Sequence, residues 1–139
     1  MMKRLFKWSM IGTLIIAWTA YGHPQDLDVG KTEFQSSCAA CHGADGRGKG
    51  PLVSVLKLAP TDLTMLAKKN NGVFPVSAVY EMIDGRKQLQ AHGTREMPIW
   101  GFRYMPSPYE AVNPSAATEA AIRMRILAIV DYLNRIQEK

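Results

Sequence analysis

The chain has 139 residues, and its formal charge of +5 comes from 17 Lys and Arg against 12 Asp and Glu. Three of the basic residues and none of the acidic ones lie in the first 22 positions, so residues 23–139 carry 14 against 12. That near-neutral balance removes any basis for inferring a nucleic-acid partner, and the 117 residues involved suffice for one domain with a modest core.

The N-terminus has the layout of an export signal. Lys3, Arg4 and Lys7 make a basic start, and Trp8 to Gly22 is an uncharged run of 15 residues. That run is shorter than the roughly 20 residues that span a bilayer comfortably. Ala20-Tyr21-Gly22 fits a small-x-small cleavage site. The expectation is a signal peptide over residues 1–22, a domain over 23–139 and a periplasmic protein. Were the signal left uncut, the protein would be tethered to the membrane. No later stretch of the sequence resembles a membrane span.

After a short leader from His23, Asp28 is placed to cap a helix over Val29–Cys41, which Gly43 ends. Phe34, Cys38 and Cys41 recur on one face of that helix. Both cysteines of the chain fall in Cys38-Ala39-Ala40-Cys41-His42, the pattern of a c-type haem attachment site. One helical turn presents both sulfurs to the porphyrin edge for thioether bonds, and His42 follows with an imidazole for the iron. A Cys38–Cys41 disulfide of thioredoxin type would need a preceding strand, but the flanks read as helical and His42 would then have no role. Zinc fits poorly, because there is no second cysteine pair and His23 and His92 lack ligand spacing.

Gly43 to Pro51 reads as a flexible polar loop. Its G-x-x-x-x-G-K match to a phosphate-binding loop is accidental, because position 50 is Gly rather than Ser or Thr and no strand precedes it. A short helix is expected from Thr61 and Asp62 to Lys69, with Leu63 and Leu66 inward, stopped by Asn70-Asn71-Gly72. Pro75 to Asp84 reads as another helix, with Val79, Met82 and Ile83 as its apolar face and Gly85 as its terminator. Gln88 to Ser115 reads as irregular, broken by Pro98, Pro106, Pro108 and Pro114. A long patternless segment suits a chain that wraps a cofactor. From Ser115 a last helix carries the stripe Ile122, Ile126, Ile129, Val130, Leu133 and Ile136, with Glu119 in its first turn. No stretch alternates as a strand would. The class is all-α, with haem providing much of what the helices pack against.

Iron held by one histidine has a sixth position to fill, and a methionine thioether there favours Fe(II) and raises the potential. Met65, Met82, Met97, Met105 and Met124 are the candidates beyond the signal. Met82 and Met124 lie on expected helices, where packing is the better assignment. Met97 and Met105 lie in the irregular segment, and each precedes a proline that would stiffen its loop.

Several stretches together resemble the class I cytochromes c, small monohaem electron carriers of bacteria and mitochondria. Gly30 and Phe34 precede Cys38 by eight and four residues, Ile129 and Tyr132 match partner positions on the last helix, and the run from His92 to Gly101 contains Met97-Pro98-Ile99-Trp100-Gly101, an M-P-x-W-G ligand loop. The resemblance implies several short helices and a long loop around one covalent haem c, with Gly30 permitting a close helix crossing. It implies Met97 as the sixth ligand, with Met105 as the competitor. It also implies the Pro60 carbonyl as acceptor of the His42 Nδ1–H, and Trp100 and Arg86 as candidate neighbours of a haem propionate, with His92 elsewhere on the ligand loop. The implied protein is a monomeric periplasmic one-electron carrier with no organic substrate and no nucleic-acid partner. Its donor and acceptor would be redox proteins, membrane-associated respiratory components among them. A haem subunit of a membrane dehydrogenase or oxidase is the alternative. A haem enzyme or gas sensor with an open sixth site is a further one, and Met97 is the residue that discriminates it.

Overall fold

The structure, a computed structural model, describes residues 27–86 and 97–138. The export segment over residues 1–22 and His92 lie outside the described residues. All regular elements among the described residues are helical, as expected. They are α1 (Val29–Ser37), α2 (Ala39–His42), α3 (Val76–Asp84), α4 (Trp100–Arg103), α5 (Pro108–Val112) and α6 (Ala116–Arg135), with 3₁₀ turns at Val53–Val55, Leu63–Met65 and Lys68–Asn70.

The expected first helix is present but broken. Asp28 caps α1 by accepting from the Lys31 N–H at 3.0 Å. Cys38 then leaves the helical register, with φ −116°, while its N–H still closes on the Phe34 carbonyl at 2.8 Å. The chain restarts as α2, and the His42 N–H bonds the Cys38 carbonyl at 2.9 Å. Gly43 ends it with φ 81°.

The core is the crossing of α1 and α6. Ser115 caps α6 through its hydroxyl, which accepts from the Thr118 N–H at 3.0 Å. Of the predicted stripe, Ile122, Ile126, Ile129, Val130 and Leu133 are buried, and Ile136 is partly so. Burying one such side chain contributes roughly 1.5–3 kcal/mol. Phe34 and Tyr132 meet across the crossing with ring centroids 5.2 Å apart. The helices approach this closely because residue 30 has no side chain. A Cβ there would fall on the Ala128 carbonyl and within 3.0 Å of the Tyr132 Cβ. Two bidentate ion pairs brace the crossing from outside. Arg125 holds Glu33 at 3.0 Å on both oxygens, and Arg135 holds Asp28 at 2.8 and 2.9 Å.

Residues 61–69 differ from the expected helix. They form two 3₁₀ turns; Leu63 and Leu66 are partly buried and pack against the core as expected, while Thr64 and Ala67 are the buried residues. The cause is Gln137. Its Nε2 donates to the Leu63 carbonyl at 2.8 Å and its Oε1 accepts from the Ala67 N–H at 2.8 Å. Those are the two groups that an α-helix would join to each other, so an inserted side-chain amide replaces the helical bond. The Glu138 N–H takes the Thr64 carbonyl at 2.8 Å in the same way.

Two further expectations are corrected. Helix α3 runs as predicted and stops at Gly85 in the left-handed region, with φ 69°. Ile83 is buried and Val79 packs on the core, but Met82 is half-exposed on the outer side. The segment read as irregular up to Ser115 contains α4 and α5. The latter is started by Ser107, whose hydroxyl accepts from the Glu110 N–H at 3.2 Å, and by Pro108 in the first turn.

Two predictions follow from the crossing. Gly30→Ala must push α1 off Ala128, and the melting temperature of the haem-loaded protein should fall by the equivalent of roughly 1–3 kcal/mol. An unchanged melt would show that the approach is slack. The second concerns acid. Arg135, with help from the Lys31 N–H, draws the Asp28 carboxyl down from 3.8 to about 2. A depressed pKa stabilises above the unfolded value, and that contribution is lost as pH falls from about 4 to about 2. Stability followed by circular dichroism should therefore decline less steeply in that window for Asp28→Asn than for the wild type.

Candidate haem site

The end of α2 leaves carbonyl groups without helical partners, and the glycine-rich loop supplies them. The N–H of Gly48 bonds the His42 carbonyl at 2.7 Å, that of Gly50 the Cys41 carbonyl at 3.0 Å, and that of Leu52 the Ala40 carbonyl at 3.0 Å. Residue 50 must lack a side chain, because a Cβ would fall among the carbonyl oxygens of Ala39, Ala40 and Cys41. The loop is thus a hydrogen-bonded cap on the motif helix rather than the flexible link expected.

The same loop delivers the histidine's partner. The Leu63 N–H bonds the Gly46 carbonyl at 2.8 Å, which lays residues 61–63 along the loop. In that register the His42 Nδ1 meets the Thr61 carbonyl at 3.2 Å. A carbonyl only accepts, so Nδ1 carries the proton and Nε2 is left as the metal-binding nitrogen. The expectation for Pro60 is corrected by one residue. Its carbonyl faces the space beside Gly48, where a Cβ would overlap it. Burial lowers the His42 pKa, against the opposing pull of the Thr61 bond. The ring is thereby kept in the neutral form that ligates iron.

Cys38 is buried and Cys41 partly so, and the two are not joined in a disulfide. Burial, with smaller effects from Glu33 and Cys41, pushes the Cys38 thiol up to about 12. The shift runs opposite to that of the low-pKa cysteine of a thiol oxidoreductase. Two cysteine sulfurs one turn apart, which would bond the haem vinyl groups, and an imidazole held by a backbone carbonyl are the groups that covalent haem requires. The residues present fit that group. No cluster of three or more His, Cys, Asp or Glu suited to a metal ion occurs among the described residues, so a zinc site gains no support there.

The methionines separate by position. Met82 and Met124 are exposed, so neither has the packing role expected of it. Met65, Met97 and Met105 are partly buried, and Met97 and Met105 pack against the core cluster. Trp100 opens α4 and is partly buried. Its ring centroid is 5.6 Å from that of Tyr104, and the Arg103 guanidinium lies 5.6 Å over the Trp100 ring.

Arg86 is not a free cation awaiting a propionate. Its Nε and Nη2 donate to Asp84 at 2.6 and 3.0 Å, and its Nη1 and Nη2 donate to Glu119 at 2.6 and 3.1 Å. Four of the five donor hydrogens of a guanidinium are thereby directed at carboxylates. Sequence reading missed the partners of this residue and of Tyr104. The Tyr104 ring lies 4.0 Å beneath the Arg125 guanidinium, which ties α4 to α6 and, through Glu33, to α1. The Arg86–Glu119 and Tyr104–Arg125 pairings have no local signal, because these partners come from distant parts of the chain.

A family model described as Cytochrome c matches residues 27–135, which include the motif helix, Met97 and all of α6. No curated protein and no solved structure matches the chain. The spacing of Cys38 and Cys41 before His42, the all-helical fold and a match over most of the described structure agree, and the chain belongs to the cytochrome c family of electron carriers, binding haem covalently through Cys38 and Cys41.

Proposed function

We propose that this cytochrome is an exported, monomeric one-electron carrier of the periplasm whose iron is held by His42 and Met97. The observation that carries the reading is the His42 ring, fixed through Nδ1 by the Thr61 carbonyl so that Nε2 has one direction to point. Bound haem supplies a reversible Fe(II)/Fe(III) couple. The chain's part is to hold two ligands in place, exclude water and keep the pocket unchanged between the two charge states. Met97 suits the second position because it is partly buried on the core and leads through Pro98 into α4. A neutral thioether there favours Fe(II). Trp100 remains a propionate neighbour in this reading, whereas Arg86 serves the framework.

Export is supported by the basic start and short apolar run of residues 1–22. No helix among the described residues is long and apolar enough to cross a membrane. The carrier role is favoured over an open-site enzyme or gas sensor by the presence of a methionine suited to close the sixth position. Redox proteins are the partners of such a carrier, and membrane-associated respiratory components fit a periplasmic location. Weak, rapid docking suits it better than a large permanent interface.

Met97→Ala should remove the methionine–iron band of the ferric spectrum, admit carbon monoxide readily to the reduced protein and lower the potential by on the order of 0.1 V, a fraction of the range that axial ligands span. Met105→Ala should leave all three close to wild type. An exchange of these behaviours would make Met105 the ligand. A wild-type ferric protein without the band, binding carbon monoxide readily when reduced, would return the open-site reading.

Haem-loaded protein recovered from the periplasmic fraction should begin at His23. Stopped-flow oxidation by its native acceptor should slow by less than about tenfold from low to high salt, because residues 23–139 have little net charge for long-range steering. A fall of several orders of magnitude would reveal a clustered basic docking face. Tight co-purification with a membrane complex would favour the subunit alternative.

A further inference from the structure

The segment that carries Met97 leaves α3 at Asp84 and returns at α4, and its two stems touch. Gly85 turns the chain in the left-handed region, so that Arg86 folds back on the last residue of α3. The guanidinium spans outward to Glu119 in the first turn of α6. Gly101, four residues after Met97, is buried against this ion pair. A Cβ at residue 101 would overlap Asp84 Oδ1 and lie 2.5 Å from Arg86 Nε and 2.8 Å from its Cδ. The return stem therefore rests on the pair that holds the outgoing stem, and both are fastened to α6. Arg86 and Asp84 are mostly buried, so solvent screens their attraction little, whereas Glu119 is 41 % exposed.

We propose that Arg86, Asp84, Glu119 and Gly101 form a positioning device that closes the mouth of the Met97 segment and thereby sets how firmly the methionine stays on the iron. The proposal rests on Met97 being the sixth ligand. The physical reason is loop closure. Stems held together leave Met97, four residues before Gly101, fewer arrangements, among them fewer that carry its sulfur away from the iron. The device differs from the Arg125–Glu33 and Arg135–Asp28 pairs, which brace α1 against α6; among the described residues Arg125 meets the return side of the segment at Tyr104.

Free imidazole reaches the iron only in molecules whose methionine has left it. Its apparent affinity for the ferric, haem-loaded protein therefore measures the fraction of such molecules. Arg86→Gln and Gly101→Ala should bind imidazole about tenfold or more tightly than the wild type, and Glu119→Gln about threefold, at temperatures well below melting. Arg135→Gln, which breaks the Asp28 pair, should lower the melting temperature without changing imidazole affinity. Affinities for Arg86→Gln and Gly101→Ala within about twofold of wild type would overturn the proposal. So would an equal gain in Arg135→Gln, because that would mark a general loss of stability. If Arg86→Gln fails to load haem, Glu119→Gln, altered only at the exposed arm, decides by the same measurement. Met97→Ala serves as the reference. Imidazole binding no tighter than wild type in Met97→Ala would overturn the ligand assignment and this proposal together, whereas tight binding there with no gain at Arg86 and Gly101 would overturn this proposal alone.

Discussion

The close crossing of α1 and α6 is the constraint on which the rest depends. Gly30 lets the helix axes come near enough for Phe34, Ile129 and Tyr132 to pack without a gap. Cys38 follows directly at the C-terminal end of the same α1, itself buried in the core. The same α6 offers Glu119 to Arg86 and Arg125 to Tyr104 and Glu33, so the stems of the Met97 segment are referred to the helix that positions the thioethers. The attachment site and the segment carrying the proposed second ligand thus share one frame. An electron carrier needs such a frame, because movement of ligands with each change of iron charge would add to the barrier for transfer.

Polar satisfaction does as much as apolar packing in placing His42. The last turn of the motif helix exposes carbonyl groups that have to find donors, and three N–H groups from the following loop reach them. The donors can come that close because glycine occupies the position nearest the helix end. Once the loop is pinned there, the chain beyond it is close enough for Thr61 to hold the imidazole. A backbone requirement at a helix terminus is in this way converted into the orientation of a metal ligand.

Three arginines of this cytochrome serve internal alignment. Arg86, Arg125 and Arg135 each present a fork to a carboxylate pair of oxygens, and each joins α6 to another part of the chain. Such pairing agrees with the nearly neutral balance of residues 23–139. It leaves short-range complementarity, more than long-range attraction, to select redox partners.

The sequence by itself determined the features whose physics is local. Cys38, Cys41 and His42 are set by their spacing on a helical turn, Asp28 and Ser115 by their reach to the next N–H groups, and the buried face of α6 by its period. Tertiary structure decided everything that depended on a partner from far away. Gln137 breaks the helix expected over 61–69, because its amide competes for the Leu63 carbonyl and the Ala67 N–H from more than sixty positions along the chain. Arg86 is claimed by Glu119, 33 positions away, and so turns from a propionate neighbour into part of the framework. The carbonyl at His42 belongs to Thr61 and not Pro60, because the register is set by a loop hydrogen bond between Gly46 and Leu63. Period and capping act within one or two turns and can be read along the chain. Long-range hydrogen bonds and ion pairs exist only after the core has brought their ends together.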